Sequence, residues 1–127
     1  MIDFIQIQTT YPDEASARRA ARYLVEHRVV ACAQVLGPIH STYFWEGRLE
    51  ESTEWLCLLK TRRLLFEMAA ETIRVHHPYE CPQIVATPIA SMSNDYSQWL
   101  VEQTAAVMPE KKAVAEFPSK IAHKSAK

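Results

Sequence analysis

Two strand–helix cycles joined by one long hairpin predict an α+β fold, a single sheet with its main helices packed on one face. Three observations carry this expectation. Apolar and polar residues alternate over residues 2–10, the period of a half-buried strand. Apolar stripes at helical spacing occupy 14–28 and 62–75, each after a strand pattern. Between them, the residues from Val29 to Lys60 read as strands that double back at Glu46-Gly47, a weaker relative of the Asn-Gly hairpin turn.

Each element has its own signals. In the first strand Ile5, Ile7 and Thr9 share one face and Phe4, Gln6 and Gln8 the other. Pro12 stops it, and Asp13 is placed to cap the helix that follows. That helix turns Ala17, Ala20, Ala21, Leu24 and Val25 toward a sheet and leaves Arg18, Arg19, Arg22 and Glu26 outside. The second strand runs from Val29 to Leu36, is interrupted at Gly37-Pro38 and resumes over 39–45. The third, Leu49 to Lys60, ends in the continuous run Trp55-Leu56-Cys57-Leu58-Leu59, which predicts a central strand buried on both sides. Thr61 is expected to cap the second helix, striped by Leu64, Leu65, Met68, Ala69, Thr72 and Ile73. A fourth strand, Gln83 to Ala90, contains Pro88, which assigns it to a sheet edge because proline cannot donate to a ladder. A third helix, Asn94 to Val107, gathers Tyr96, Trp99, Leu100 and Gln103 near one face. This order is the split βαβ plan called ferredoxin-like. Right-handed crossovers put both main helices on one face and give a strand order of 4-1-3-2. The long aromatic hairpin then lies at an open edge, a hazard that self-association covers.

Composition bounds the function. The 127 residues suit one domain, here 1–108. Residues 109–127 form a separate Lys/Ala-rich tail, expected to be loosely ordered because it offers little apolar surface. Five Lys and two Glu give that tail +3, which leaves −4 for the rest of a chain whose net charge is −1. The near-neutral balance gives no electrostatic case for nucleic acid. Two glycines, Gly37 and Gly47, do not make a Rossmann fingerprint or a P-loop. No apolar run reaches the roughly 18 residues that span a bilayer, and the N-terminus lacks a signal-peptide pattern. Three cysteines without a CxxC pair, Cys32, Cys57 and Cys81, read as reduced thiols in the cytoplasm. No GxSxG, HExxH or Cys-His motif appears, so no enzyme is predicted.

The densest chemistry lies in His76-His77-Pro78-Tyr79-Glu80-Cys81-Pro82. Its donors suit copper or zinc, and its two prolines stiffen the loop. Together with Ala31-Cys32-Ala33, Ser41 to Arg48, Glu54, Lys60-Thr61 and Asp95 to Trp99, this stretch resembles the CutA family of divalent-cation tolerance proteins over about residues 3–105. The resemblance implies a ferredoxin-like, PII-like homotrimer, cytoplasmic in bacteria, with copper or another divalent cation as its ligand. It also implies no secure enzymatic reaction. His76 and His77 are the implied metal ligands. Thr9 stands where some bacterial members carry a cysteine, and Gln34 where the family often has Asn.

The residues themselves leave alternatives open. One of the paired imidazoles can cap the second helix instead of binding metal. Cys81 and Glu80 are candidates for a further ligand. Tyr43 and Trp45 can line a ligand cleft or pack a subunit interface. Lys60, with Tyr79 and Glu80, can form part of a cleft for a small anionic metabolite, with the free N–H groups of a helix start beside it. Lys60 in a surface ion pair is the other possibility. A third reading is a purely structural trimer that scaffolds other proteins.

Overall fold

The structure is a computed structural model in which residues 3–105 are described. Strand β1 (Phe4–Tyr11) leads into helix α1 (Glu14–Glu26), and strands β2 (Cys32–Trp45) and β3 (Arg48–Arg62) form the long hairpin. Helix α2 (Phe66–His76), strand β4 (Val85–Pro88) and helix α3 (Asn94–Gln103) complete the order. The sheet is antiparallel in the order β2-β3-β1-β4, the expected 4-1-3-2 read from the other side. Pro88 sits on the β4 edge opposite Ile5. The expected tail at 109–127 lies outside the described residues, and the third helix, expected to run to Val107, ends at Gln103 with Thr104 already extended.

One face of the sheet carries the core. Ile5, Ile7 and Tyr11 of β1 and Cys57 and Leu59 of β3 meet Ala17, Ala20, Ala21 and Leu24 of α1 and Ala69 and Ile73 of α2. Asp13 caps α1 as expected, its carboxylate accepting from the Ser16 N–H at 2.8 Å. The hairpin turns at Glu46 (φ 52°) and Gly47 (φ 78°), the two left-handed residues that a type I′ turn requires.

Several boundaries differ from expectation. Thr61 does not cap a helix: it is buried in β3 and donates its hydroxyl to the Val29 carbonyl at 2.8 Å. Helix α2 starts only at Phe66, after a 3-10 turn at Arg63–Leu65, with no side-chain cap. Strand β2 starts at Cys32, because Val29 and Val30 bury themselves in the core at the exit from α1. It also runs on through Gly37-Pro38, where a bulge between Leu36 and Ile39 absorbs the interruption. Strand β4 is shortened to four residues.

The bulge has a steric basis. A Cβ on Gly37 would lie 2.7 Å from Trp55 Cδ2 and 2.8 Å from Cε3, so the indole occupies the space a side chain needs. Gly37→Ala is expected to cost about 1–3 kcal/mol by overpacking, read as a lower denaturation midpoint. Shrinking the ring with Trp55→Leu in the same chain should recover part of the loss.

The expectation that β3 is buried on both sides holds for one side only. Cys57 and Leu59 are fully buried, whereas Trp55, Leu56 and Leu58 are half-buried in the single chain. The face away from α1 and α2 pairs Leu36 with Leu56, Gln34 with Leu58, and Gln8 with both Leu58 and Val85. Leu36 and Val85 are exposed there. Strand β1 pairs with β3 only over Trp55–Arg62. Residues 39–54 therefore project as a two-stranded arm with Phe44 72% and Leu49 61% exposed near its tip.

The core also stores a dependence on alkaline pH. Burial pushes the Cys57 thiol from 9.0 up to about 12, and burial likewise raises the Tyr11 phenol. Both groups hold their protons to higher pH when folded than when unfolded. The stability they confer is therefore complete below pH 9 and falls as pH rises above it, by about 1.4 kcal/mol per pH unit per group. Between pH 9 and 10 the thiol alone is in range, so Cys57→Ala should flatten the fall in urea midpoint there. An unchanged slope would contradict this account.

Candidate functional site

His76 is the last residue of α2, whereas His77 is already extended at φ −85°, ψ 141°. The neighbouring imidazoles therefore leave the chain in different directions. His76 turns into the groove between α1 and α2, its ring 4.7 Å from that of Tyr23. Its Nδ1 lies 3.1 Å from the Thr72 carbonyl. A carbonyl only accepts, so Nδ1 carries the proton and the neutral ring has its lone pair on Nε2.

His77 is inserted between rings, 4.3 Å from Tyr11 in a stacked pair and 4.8 Å from Tyr79. Its Nε2–H donates to the Thr10 carbonyl at 2.9 Å, and its Nδ1 accepts the Tyr79 backbone N–H at 3.1 Å. With both nitrogens so engaged, His77 presents none to an ion in this arrangement. What it does is fasten the loop after α2 to the end of β1.

Tyr79 fastens the same loop to the hairpin. Its hydroxyl donates to Glu54 Oε2 at 2.7 Å, and the Ser41 hydroxyl donates to Glu54 Oε1 at 2.7 Å. Glu54 is 1% exposed and Tyr79 is 0% exposed. Among the described residues Glu54 has no ion pair, so two hydroxyls hold a buried carboxylate. Burial first, then the hydrogen bond and charge of Glu54, push the Tyr79 phenol well above its usual value, with Tyr43 and Asp13 adding to the effect. Tyr79 is therefore a donor throughout the physiological range.

The other expected residues are dispersed. Tyr43 and Trp45 are half-buried on the arm, with the Tyr43 hydroxyl 3.5 Å from Ser52 Oγ. Lys60 donates to Gln34 Oε1 on β2 at 2.9 Å and is not beside the start of α2, which comes only at Phe66. Glu80 and Cys81 are exposed in the loop. Cys57 is core, and Cys32 lies beside Tyr96 of α3, whose phenol is raised by burial and then by Cys32.

As a test of metal fit, the donor types of the loop suit a borderline ion: an imidazole whose Nδ1–H is held by a carbonyl, with a carboxylate and a thiol on the same loop. Among the described residues, however, no three His, Cys, Asp or Glu side chains gather about one point. His76 Nε2 is itself buried in the α1–α2 groove, and the exposed Glu80 and Cys81 do not gather with it, so one chain alone does not make a coordination shell. Sequence reasoning passed over the joint role of Glu54 and Ser41. The available signal was an acid opening the otherwise apolar stretch that begins at Trp55.

Comparison with known proteins follows the same lines. The family model for "CutA1 divalent ion tolerance protein" matches residues 5–103. The divalent-cation tolerance protein CutA of Pyrococcus horikoshii is 39% identical over 100 residues, covering 79% of this chain and 97% of that protein. CutA of Thermus thermophilus is 41% identical over 95 residues, covering 75% and 92%. The chain spans 55% of the chloroplastic CutA of Arabidopsis thaliana. The crystal structure of CutA1 from Oryza sativa superposes with a TM-score of 0.81 at 28% identity, over 84% of this chain and 97% of that one. The ferredoxin-like sheet, the order of its elements and a match that runs nearly from end to end of the described residues lead to one conclusion: this chain belongs to the CutA1 family of divalent ion tolerance proteins.

Proposed function

We propose that this chain is a cytoplasmic homotrimer, without catalytic chemistry of its own, that takes up a borderline divalent ion, copper first, at the loop from His76 to Pro82. The observation that carries this reading is the orientation of His76. An Nδ1–H held by a backbone carbonyl is the outer-sphere arrangement typical of metal-ligating imidazoles. Glu80 and Cys81 stand exposed on the loop that follows, and His77 holds that loop in place. Three free thiols suit a reducing compartment. The trimer is supported by the open apolar sheet face and the projecting arm, since an isolated two-stranded ribbon is marginal in water. A closed ring of three covers both without leaving ends.

Calorimetric titration of the metal-free protein with zinc and copper(II) tests the reading. One site per chain is expected, micromolar or tighter on the order-of-magnitude scale of such sites, and weakened at least about tenfold by His76→Ala. Weak, non-stoichiometric uptake would contradict it.

A second reading rests on a cavity of about 650 Å³ between the β1 and β4 ends and α3, lined by Phe4, Arg63, Ile89, Met92 and Asn94. Its size suits a small metabolite, and Arg63 suits an anionic one. A thermal-shift screen with organic acids would reveal stabilisation if such a ligand prefers the folded protein.

A further inference from the structure

Arg63 and Asp3 line one cavity without pairing with each other. The cavity, about 650 Å³, lies between the start of β1, the segment after β4 and the start of α3. Two backbone bonds fix its walls. Arg63 N–H donates to the Asp3 carbonyl at 2.8 Å, and Ile89 N–H donates to the Phe4 carbonyl at 2.9 Å. The first of these bonds sets the two charged residues side by side. Yet no ion pair joins their side chains among the described residues, and neither side chain has a hydrogen bond there. Phe4, Ile89 and Met92, all half-buried, give the same cavity an apolar wall.

From this arrangement we infer that the cavity takes an α-amino acid with a large apolar side chain, its carboxylate on Arg63, its ammonium on Asp3 and its side chain against Phe4, Ile89 and Met92. The inference rests on the cavity reading above and narrows its ligand. Charge decides the class. The two ionised side chains that line the cavity are of opposite sign. An anion alone meets Asp3 as well as Arg63, and a cation alone meets the reverse conflict. A dipolar molecule satisfies both ends at once, and each contact is a charge-assisted hydrogen bond, stronger than a neutral one. Arg63 suits the carboxylate end because its planar fork matches both oxygens.

The apolar wall selects the side chain. A small or polar amino acid leaves Phe4, Ile89 and Met92 facing water, whereas a phenyl ring removes apolar area from water on both molecules. Contact of that ring with the Phe4 ring and with the Met92 sulfur adds to the gain. The volume lies inside the range of small-molecule sites, roughly 300–1,000 Å³, and leaves room for ordered water around the charged ends. Asn94 lines the same cavity, and its side chain makes no hydrogen bond among the described residues. Its amide offers a neutral donor and acceptor beside them.

Calorimetry on the full chain tests the inference with three probes: L-phenylalanine, phenylpropionate, which lacks the ammonium, and phenethylamine, which lacks the carboxylate. L-phenylalanine should bind once per chain. Each half-molecule should bind at least about tenfold more weakly, the effect of losing one charge-assisted hydrogen bond. Arg63 and Asp3 are exposed, so Arg63→Gln and Asp3→Asn should leave the fold intact. With Arg63→Gln, L-phenylalanine should lose its advantage over phenethylamine. With Asp3→Asn, it should lose its advantage over phenylpropionate. Phenylpropionate that matches L-phenylalanine on the wild type overturns the inference and leaves an anion site in the cavity. L-phenylalanine binding that neither substitution changes also overturns it, because the site then lies elsewhere. If none of the three binds at millimolar concentration, the inference falls, and the organic-acid screen decides the cavity reading separately.

Discussion

Tyr79→Phe should lower the unfolding free energy by about 2–3 kcal/mol, because it deletes the donor to a buried carboxylate. The substitution removes one oxygen and leaves packing intact, so the loss belongs to the hydrogen bond with Glu54 Oε2. Ser41 cannot make it good, since its hydroxyl already serves Oε1. Chemical denaturation at neutral pH measures the effect. A change within about 0.5 kcal/mol of wild type, the scatter of ordinary surface substitutions, would mean that Glu54 finds other solvation. The companion Glu54→Leu should then restore most of the stability to the Tyr79→Phe chain, because paired polar groups are costly to break and cheap to replace together.

For the proposed trimer, Leu56→Glu is expected to abolish assembly while sparing the folded chain. Leu56 is half-buried on the sheet face away from α1 and α2, opposite Leu36 and Thr10. On a lone chain a charge there reaches water. Inside a closed trimer it would be unpaired and desolvated three times over, at several kcal/mol each. Light scattering should give a species of one 14.5 kDa chain, with unchanged far-ultraviolet circular dichroism. A variant that keeps the wild-type assembly would move the interface elsewhere on the molecule.

Much of this fold was legible because its signals are local. The alternation of β1, the Asp13 cap, the Glu46-Gly47 turn and Pro88 at an edge each announce themselves within a few residues. Thr61 misled because a hydroxyl before a helical stripe looks like a cap. The Val29 carbonyl, 32 residues away in sequence, claims that hydroxyl instead. The breakdown of two-sided burial at Trp55–Leu59 has a different cause: α1 and α2 cover only one face of the sheet, and an apolar run does not say how many faces are covered.

The donor types of the loop after α2 were legible in the sequence, and their geometry was not. Adjacency alone leaves open which way each of the two imidazoles turns. The chain leaves helical geometry between them, so one ring enters the α1–α2 groove and the other stacks on Tyr11. The roles of Tyr79 and Glu54 were out of reach for a similar reason. Their bond joins residues 25 apart, and nothing in either segment names the other.

Native mass spectrometry of the zinc-titrated protein tests the central claim in a single spectrum. The expected result is a species of three chains that gains zinc in discrete steps up to one ion per chain. A spectrum of single chains, or a trimer that takes up no zinc, would contradict the account.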